Sequence, residues 1–143
     1  IHRFYVNDPK ISYKPIFLES KSMYASPKKQ KEIGKYIKAY PEDTTVIYFI
    51  DLDDYDTNYE TKKLFEDIKK YCETHAYELV FFCRDVEEVY LGKRVKDKVN
   101  EVKRFKSKKM IEAVLPQNLS QNEYKINGSN ILNVLDKFWT RKN

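Results

Sequence analysis

The residues best suited to chemistry in this sequence are acids gathered at the ends of apolar runs. The stretch "VIYFIDLDDYD" (46–56) passes from β-branched and aromatic residues straight into Asp51, Asp53, Asp54 and Asp56. Glu19 follows "PIFL", and Asp85, Glu87 and Glu88 follow "LVFFC". Carboxylates this close repel one another, so the cluster is costly unless a cation is shared among them. Alternate side chains of an extended strand face the same way, so Asp51 and Asp53 reach one ion if extension continues through both. Hard oxygen donors of this kind suit Mg²⁺ or Mn²⁺. Asp54 or Asp56 then adds a ligand or orients water, and Glu87 or Glu88 completes a second metal position. Two divalent ions about 4 Å apart activate water and stabilise the leaving oxygen in phosphodiester cleavage. The plainer reading is that an Asp after a strand caps the next helix.

Other chemistries find little support. Three glycines in 143 residues argue against a phosphate-cradling loop, and no Ser–His pair stands out. Cys72 and Cys83 do not form a CxxC pair, so a zinc or redox motif is not indicated and free thiols in a reducing cytosol are expected. No apolar run of about 18 residues and no signal-peptide pattern occur, so the expected setting is cytoplasmic, away from membrane.

The elements that must position the acids follow from pattern. "HRFYV" (2–6) and "KPIFLES" (14–20) read as short strands. A helix opens at Ser26-Pro27, with Ile33, Tyr36, Ile37 and Tyr40 at helical spacing, and Pro41 stops it. "TTVIYFI" (44–50) is a run suited to a strand covered on both faces. "TNYE" has the form of a capping box near Thr57. It opens a helix that buries Leu64, Phe65, Ile68, Tyr71 and Cys72 and ends near His75. "YELVFFC" (77–83) is the next strand, and "DVEEVYLG" reads as a short helix ending at Gly92. A basic helix over 93–110, a loop-like "LPQNLSQNEYKINGSN" and an amphipathic helix in "SNILNVLDKFWTRKN" complete the chain. The alternation predicts an α/β fold with a mostly parallel central sheet flanked by helices, as one domain over 1–143. Ligands in such folds collect beyond the carboxyl ends of the strands, where all three acidic groups would converge.

Charge is distributed unevenly. Residues 1–41 carry nine Lys/Arg against three Asp/Glu, residues 42–92 five against fourteen, and residues 93–143 thirteen against five. An acidic middle between basic ends suits a cation site beside a surface that attracts polyanions. The densest basic stretch, 93–109, includes Lys93, Arg94, Lys96, Lys103, Arg104 and Lys106 as candidate phosphate contacts, with Lys28, Lys29, Lys31 and Lys35 extending the surface. A solvated lysine-rich helix is the simpler explanation of the same residues. His75 reads as a helix C-terminal cation, and Trp139 as a residue packing the last helix on the sheet.

In motif order, "PIFLESKS", "VIYFIDLDD" and "LVFFCRDVEEVYLG" resemble the Toprim domain shared by topoisomerases, primases and OLD-type nucleases, over about residues 14–92. The resemblance implies a Mg²⁺- or Mn²⁺-dependent site. In it Glu19 acts as general acid/base or ligand, and Asp51 and Asp53 hold metal, with Asp54 and Glu87 completing it. It implies a nuclease-type domain that cleaves phosphodiesters in DNA or RNA. The family usually has Gly after its first Glu, and this chain has Ser20. A non-Gly residue there meets a steric cost at positive φ, so the turn or the activity differs. The alternative is therefore a catalytically inactive Toprim-like binding or regulatory subunit, paired with an ATPase, another nuclease subunit or a second copy. "FIDLDDYDT" also resembles the haloacid-dehalogenase phosphatase motif. That motif normally sits near a chain start and needs a later Lys and a late acidic pair, and no strand ending in paired Asp follows residue 92 here.

Overall fold

The computed structural model describes residues 4–83, 89–90, 100 and 116–142. The expected helices over 85–92 and 93–110 fall outside the described residues, apart from Val89, Tyr90 and Asn100. Helix α1 spans Pro27–Ala39, strand β1 Ile47–Asp51, helix α2 Tyr59–Thr74, strand β2 Glu78–Phe82 and helix α3 Ile131–Leu135. Among the described residues β1 and β2 form a two-stranded parallel sheet, in register from Ile47 opposite Glu78 to Asp51 opposite Phe82. Parallel neighbours need a crossover, and α2 provides it, so the α/β expectation holds at this level.

The two long helices form for local reasons. Ser26 Oγ accepts from Lys29 N–H at 3.2 Å and Pro27 takes the first helical position. Asn58, one residue beyond Thr57, caps α2: its Oδ1 accepts from the amides of Glu60 and Thr61 at 2.9 and 3.3 Å. At the far end of α2, Ala76 N–H bonds Glu73 O and Tyr77 N–H bonds Cys72 O. These two bonds make a Schellman ending. Its left-handed residue is Ala76, at φ 56°, where glycine is the usual occupant.

The sheet divides two apolar clusters. On the helical face lie Ile33 of α1, Phe65, Ile68 and Cys72 of α2, and the inward residues Tyr48, Ile50, Leu52, Phe81 and Cys83. Each large aliphatic or aromatic side chain buried there contributes on the order of 1.5–3 kcal/mol. Only Ile33 of the expected α1 stripe is fully buried, while Tyr36 and Tyr40 are exposed. On the far face Tyr5, Val80, Phe82, Val89, Leu119 and the buried residues of α3 pack together. Phe49 points to that side yet stays half exposed, stacked on Phe82 at 6.5 Å, so β1 is not covered on both faces as expected.

Three sequence-based expectations are corrected. Residues 14–20 make no strand: Ile16 and Leu18 pack against the helical-face cluster while Phe17 stays exposed, with no ladder to β1. Pro15 has no N–H to donate, and Glu19 ends the extension with a left-handed backbone at φ 70°. Residues 4–6 do pair, but with the other end of the chain: Val6 N–H bonds Thr140 O and Lys142 N–H bonds Phe4 O, each at 2.8 Å. The amphipathic C-terminal helix shortens to the five residues of α3, because residues 140–142 are drawn into that pairing.

The loop-like stretch before α3 supplies β2 with its outer partner. Cys83 N–H bonds Gly128 O and Asn127 N–H bonds Cys83 O, both at 2.9 Å. Asn130 then imitates a strand with its side chain: Oδ1 accepts from Phe81 N–H at 2.9 Å, and Nδ2 donates to Leu79 O at 2.8 Å. Gly128 is required here, since an added Cβ would fall 2.9 Å from both Gln121 Cγ and Lys125 O. The chain ends are tied by Tyr5, whose buried hydroxyl donates to Asp136 Oδ1 at 2.7 Å, and by Arg141, which grips both oxygens of Asp136.

Candidate functional site at the strand ends

β1 delivers Asp51 to the sheet's carboxyl rim and then turns. Leu52 is anchored by its buried side chain and by its amide on Phe82 O at 2.9 Å. A turn follows at once, with Tyr55 N–H on Leu52 O and Asp54 left-handed at φ 56°. Asp54 O then accepts from the amides of Thr57 and Asn58, which leads into the cap of α2. Asp tolerates this backbone better than most residues. Asp51 is half-buried, whereas Asp53, Asp54 and Asp56 are exposed. The extension that would align Asp51 with Asp53 stops between them.

Glu19 stands nearby on the segment that precedes α1. Its side chain is 76% exposed and lies 3.9 Å from the ammonium of Lys29, a surface pair worth about 0–1 kcal/mol. Two residues on, Lys21 Nζ donates to the main-chain oxygen of Asp51 at 3.2 Å. Ser20 is extended at φ −147° and caps a 3₁₀ turn over Lys21–Met23. The left-handed backbone of this segment is at Glu19, φ 70°.

Sequence reasoning thus identified the acids at the rim but missed the two lysines beside them. Lys21 and Lys29 are each within hydrogen-bonding or ion-pair reach of an acid-bearing residue. Among the described residues no three His, Cys, Asp or Glu side chains gather as a metal would require. Of the expected metal set, Glu19, Asp51, Asp53 and Asp54 are the described members. Glu87 lies outside the described residues, as do Lys93, Arg94, Lys96, Lys103, Arg104 and Lys106.

Other reactive groups among the described residues serve packing and capping. Burial pushes the thiols of Cys72 and Cys83 up to about 11, so both stay protonated near neutral pH and are poor nucleophiles or ligands. His75 caps α2, with its ring Nδ1 2.8 Å from Tyr71 O and its ring stacked on Tyr71 at 4.0 Å. Burial likewise raises Tyr48 to about 12, and its hydroxyl donates to Tyr24 O at 2.7 Å. A recess of about 280 Å³ lies away from the rim, between Val6–Pro9 and Phe138–Thr140, and Asp8 is its one carboxylate. No helix among the described residues is long and apolar enough to cross a membrane.

Comparison with protein-family models, with curated proteins and with solved structures finds no match to this chain.

Proposed function

We propose that this chain is a nucleic-acid-binding α/β module of Toprim-like kind that serves as a non-catalytic subunit beside another protein. The observation that carries this reading is Lys21 Nζ at 3.2 Å from Asp51 O, a cation of the chain itself at the strand end. An ammonium there supplies positive charge without the coordination a hydrolytic site needs. The basic ends of the sequence supply attraction for a polyanion, and that attraction is the main source of affinity when DNA or RNA is bound without sequence preference.

A second reading is a Mg²⁺- or Mn²⁺-dependent nuclease. It is favoured by Glu19 and Asp51 approaching one strand end from separate segments, linked by the Lys21 contact, with left-handed backbone at both Glu19 and Asp54. Such backbone is a form of strain that often accompanies function. In this reading Asp51, Asp53, Asp54 and Glu87 would hold the metal, which would activate water, and Glu19 would move a proton.

Labelled single- and double-stranded DNA and RNA, incubated with Mg²⁺ or Mn²⁺, separate the two. The expected result is retention of the oligonucleotide without cleavage, equal in wild type and Asp51→Asn. Cleavage by the wild type that Asp51→Asn abolishes would replace the binding reading with the nuclease.

A further inference from the structure

The exposed side of α1 carries a line of lysines that the strand-end site does not use. Lys28, Lys31, Lys35 and Lys38 are all exposed. At 100° per residue they fall within an arc of about 80°, opposite the inward Ile33 and Ile37. The line is about 15 Å long at helical rise. Among the described residues none of the four is paired with a carboxylate, and Glu32 stands at the margin of the line. Like charges at this spacing disfavour the helix by a few tenths of a kcal/mol per pair, a cost that a bound polyanion reverses.

Two further observations select the ligand and its path. Tyr36 and Tyr40, 38% and 66% exposed, stand about a quarter to a third of a turn round the helix from Lys28, on the side of Ile33, with Glu32 between them and the lysines. A strand whose phosphates follow the lysines can turn its free bases round the helix toward these rings, whereas a duplex keeps its base faces stacked inside. An amphipathic membrane helix would need an apolar face turned outward, and the apolar residues Ile33 and Ile37 of α1 are committed to the core. The line also begins one residue from Lys29, whose ammonium lies 3.9 Å from Glu19.

From this geometry we infer that the outer face of α1 is the track of a single-stranded nucleic acid, whose phosphates follow Lys28, Lys31, Lys35 and Lys38 toward the Glu19 segment. The inference rests on the nucleic-acid reading above and adds the strand form and the path.

Binding of a fluorescein-labelled 20-mer of deoxythymidylate, measured by anisotropy in EDTA across a salt series, tests it without reference to metal. The wild type should bind the single strand at least tenfold more tightly than a matched duplex. The variant carrying Lys28→Gln, Lys31→Gln, Lys35→Gln and Lys38→Gln should lower the slope of log K against log salt by about 3, since each phosphate contact contributes about 0.7. Tyr36→Ala with Tyr40→Ala should weaken binding while leaving that slope in place. An unchanged slope in the lysine variant would overturn the path while leaving nucleic-acid binding by other basic residues standing. Equal affinity for duplex would overturn the strand form. Failure of the wild type to bind any oligonucleotide, or binding only to vesicles of anionic phospholipid, would overturn this inference and the binding module together.

Discussion

On one face of the β1–β2 sheet, α1 and α2 bury Ile33, Phe65, Ile68 and Cys72 against the strands. On the other, Tyr5, Leu119 and α3 are assembled from distant parts of the chain. The first face is made of elements that start, run and stop on local signals. On the second, α3 is five residues long, and long-range bonds fix how its apolar cluster is assembled: Asn130 to β2, residues 4–6 to 140–142, and Tyr5 with Arg141 on Asp136. The difference teaches where each face is vulnerable. The helical face loses stability in increments when a cap or a turn is altered, while on the far face the register of the apolar cluster is set by a few polar contacts with no local substitute.

The largest effect should come from Asn130→Ala, which leaves Phe81 N–H and Leu79 C=O without the side chain that pairs them. An unsatisfied buried polar group costs about 1–3 kcal/mol, so denaturant midpoints should fall markedly and the Phe81 amide should lose protection from exchange. A loss below a few tenths of a kcal/mol would show that the far face does not hang on this contact. A smaller change of opposite sign is expected on the helical face. Ala76→Gly relieves the left-handed backbone at the end of α2 and should stabilise by about 0.5–1 kcal/mol, net of the added freedom of the unfolded chain. Destabilisation in chemical denaturation would contradict the Schellman ending.

The helical face was largely legible because its instructions are local. Ser26-Pro27, the apolar spacing of Phe65, Ile68 and Cys72, and the break before Pro41 each act within a few residues. Even so, Asn58 displaced Thr57 as the cap, since its side chain reaches two amides of the first turn. The far face was not legible: "KINGSN" has the composition of a loop, and nothing in it announces that Asn130 will stand in for a strand. The strand-end site falls between these cases. Its acids were evident at the end of β1, but the Asp54 turn overrode the extension that would align Asp51 with Asp53. Lys21 meets Asp51 across thirty residues, a contact no local pattern encodes.

The smallest predicted effect is on pH dependence. Hydrogen bonds from Arg141, then from Tyr5, hold the Asp136 carboxyl below its ordinary range. A depressed folded value means the stabilisation is present above about pH 4, the unfolded value, and is lost as pH falls through the folded one. Asp136→Asn should therefore flatten part of the acid-side decline in melting temperature. Parallel pH profiles for the two proteins would remove this cluster from the far face's support.

The most direct measurement is a Mn²⁺ titration followed by paramagnetic broadening of the amide resonances at the rim, in wild type and in Asp51→Asn/Asp53→Asn. If Lys21 supplies the positive charge at the end of β1, broadening near Asp51 through Asp56 should be weak, unsaturated at micromolar metal and alike in both proteins. Saturable micromolar broadening centred on Asp51 and Asp53, and lost in the variant, would contradict the non-catalytic module and establish a divalent-metal site.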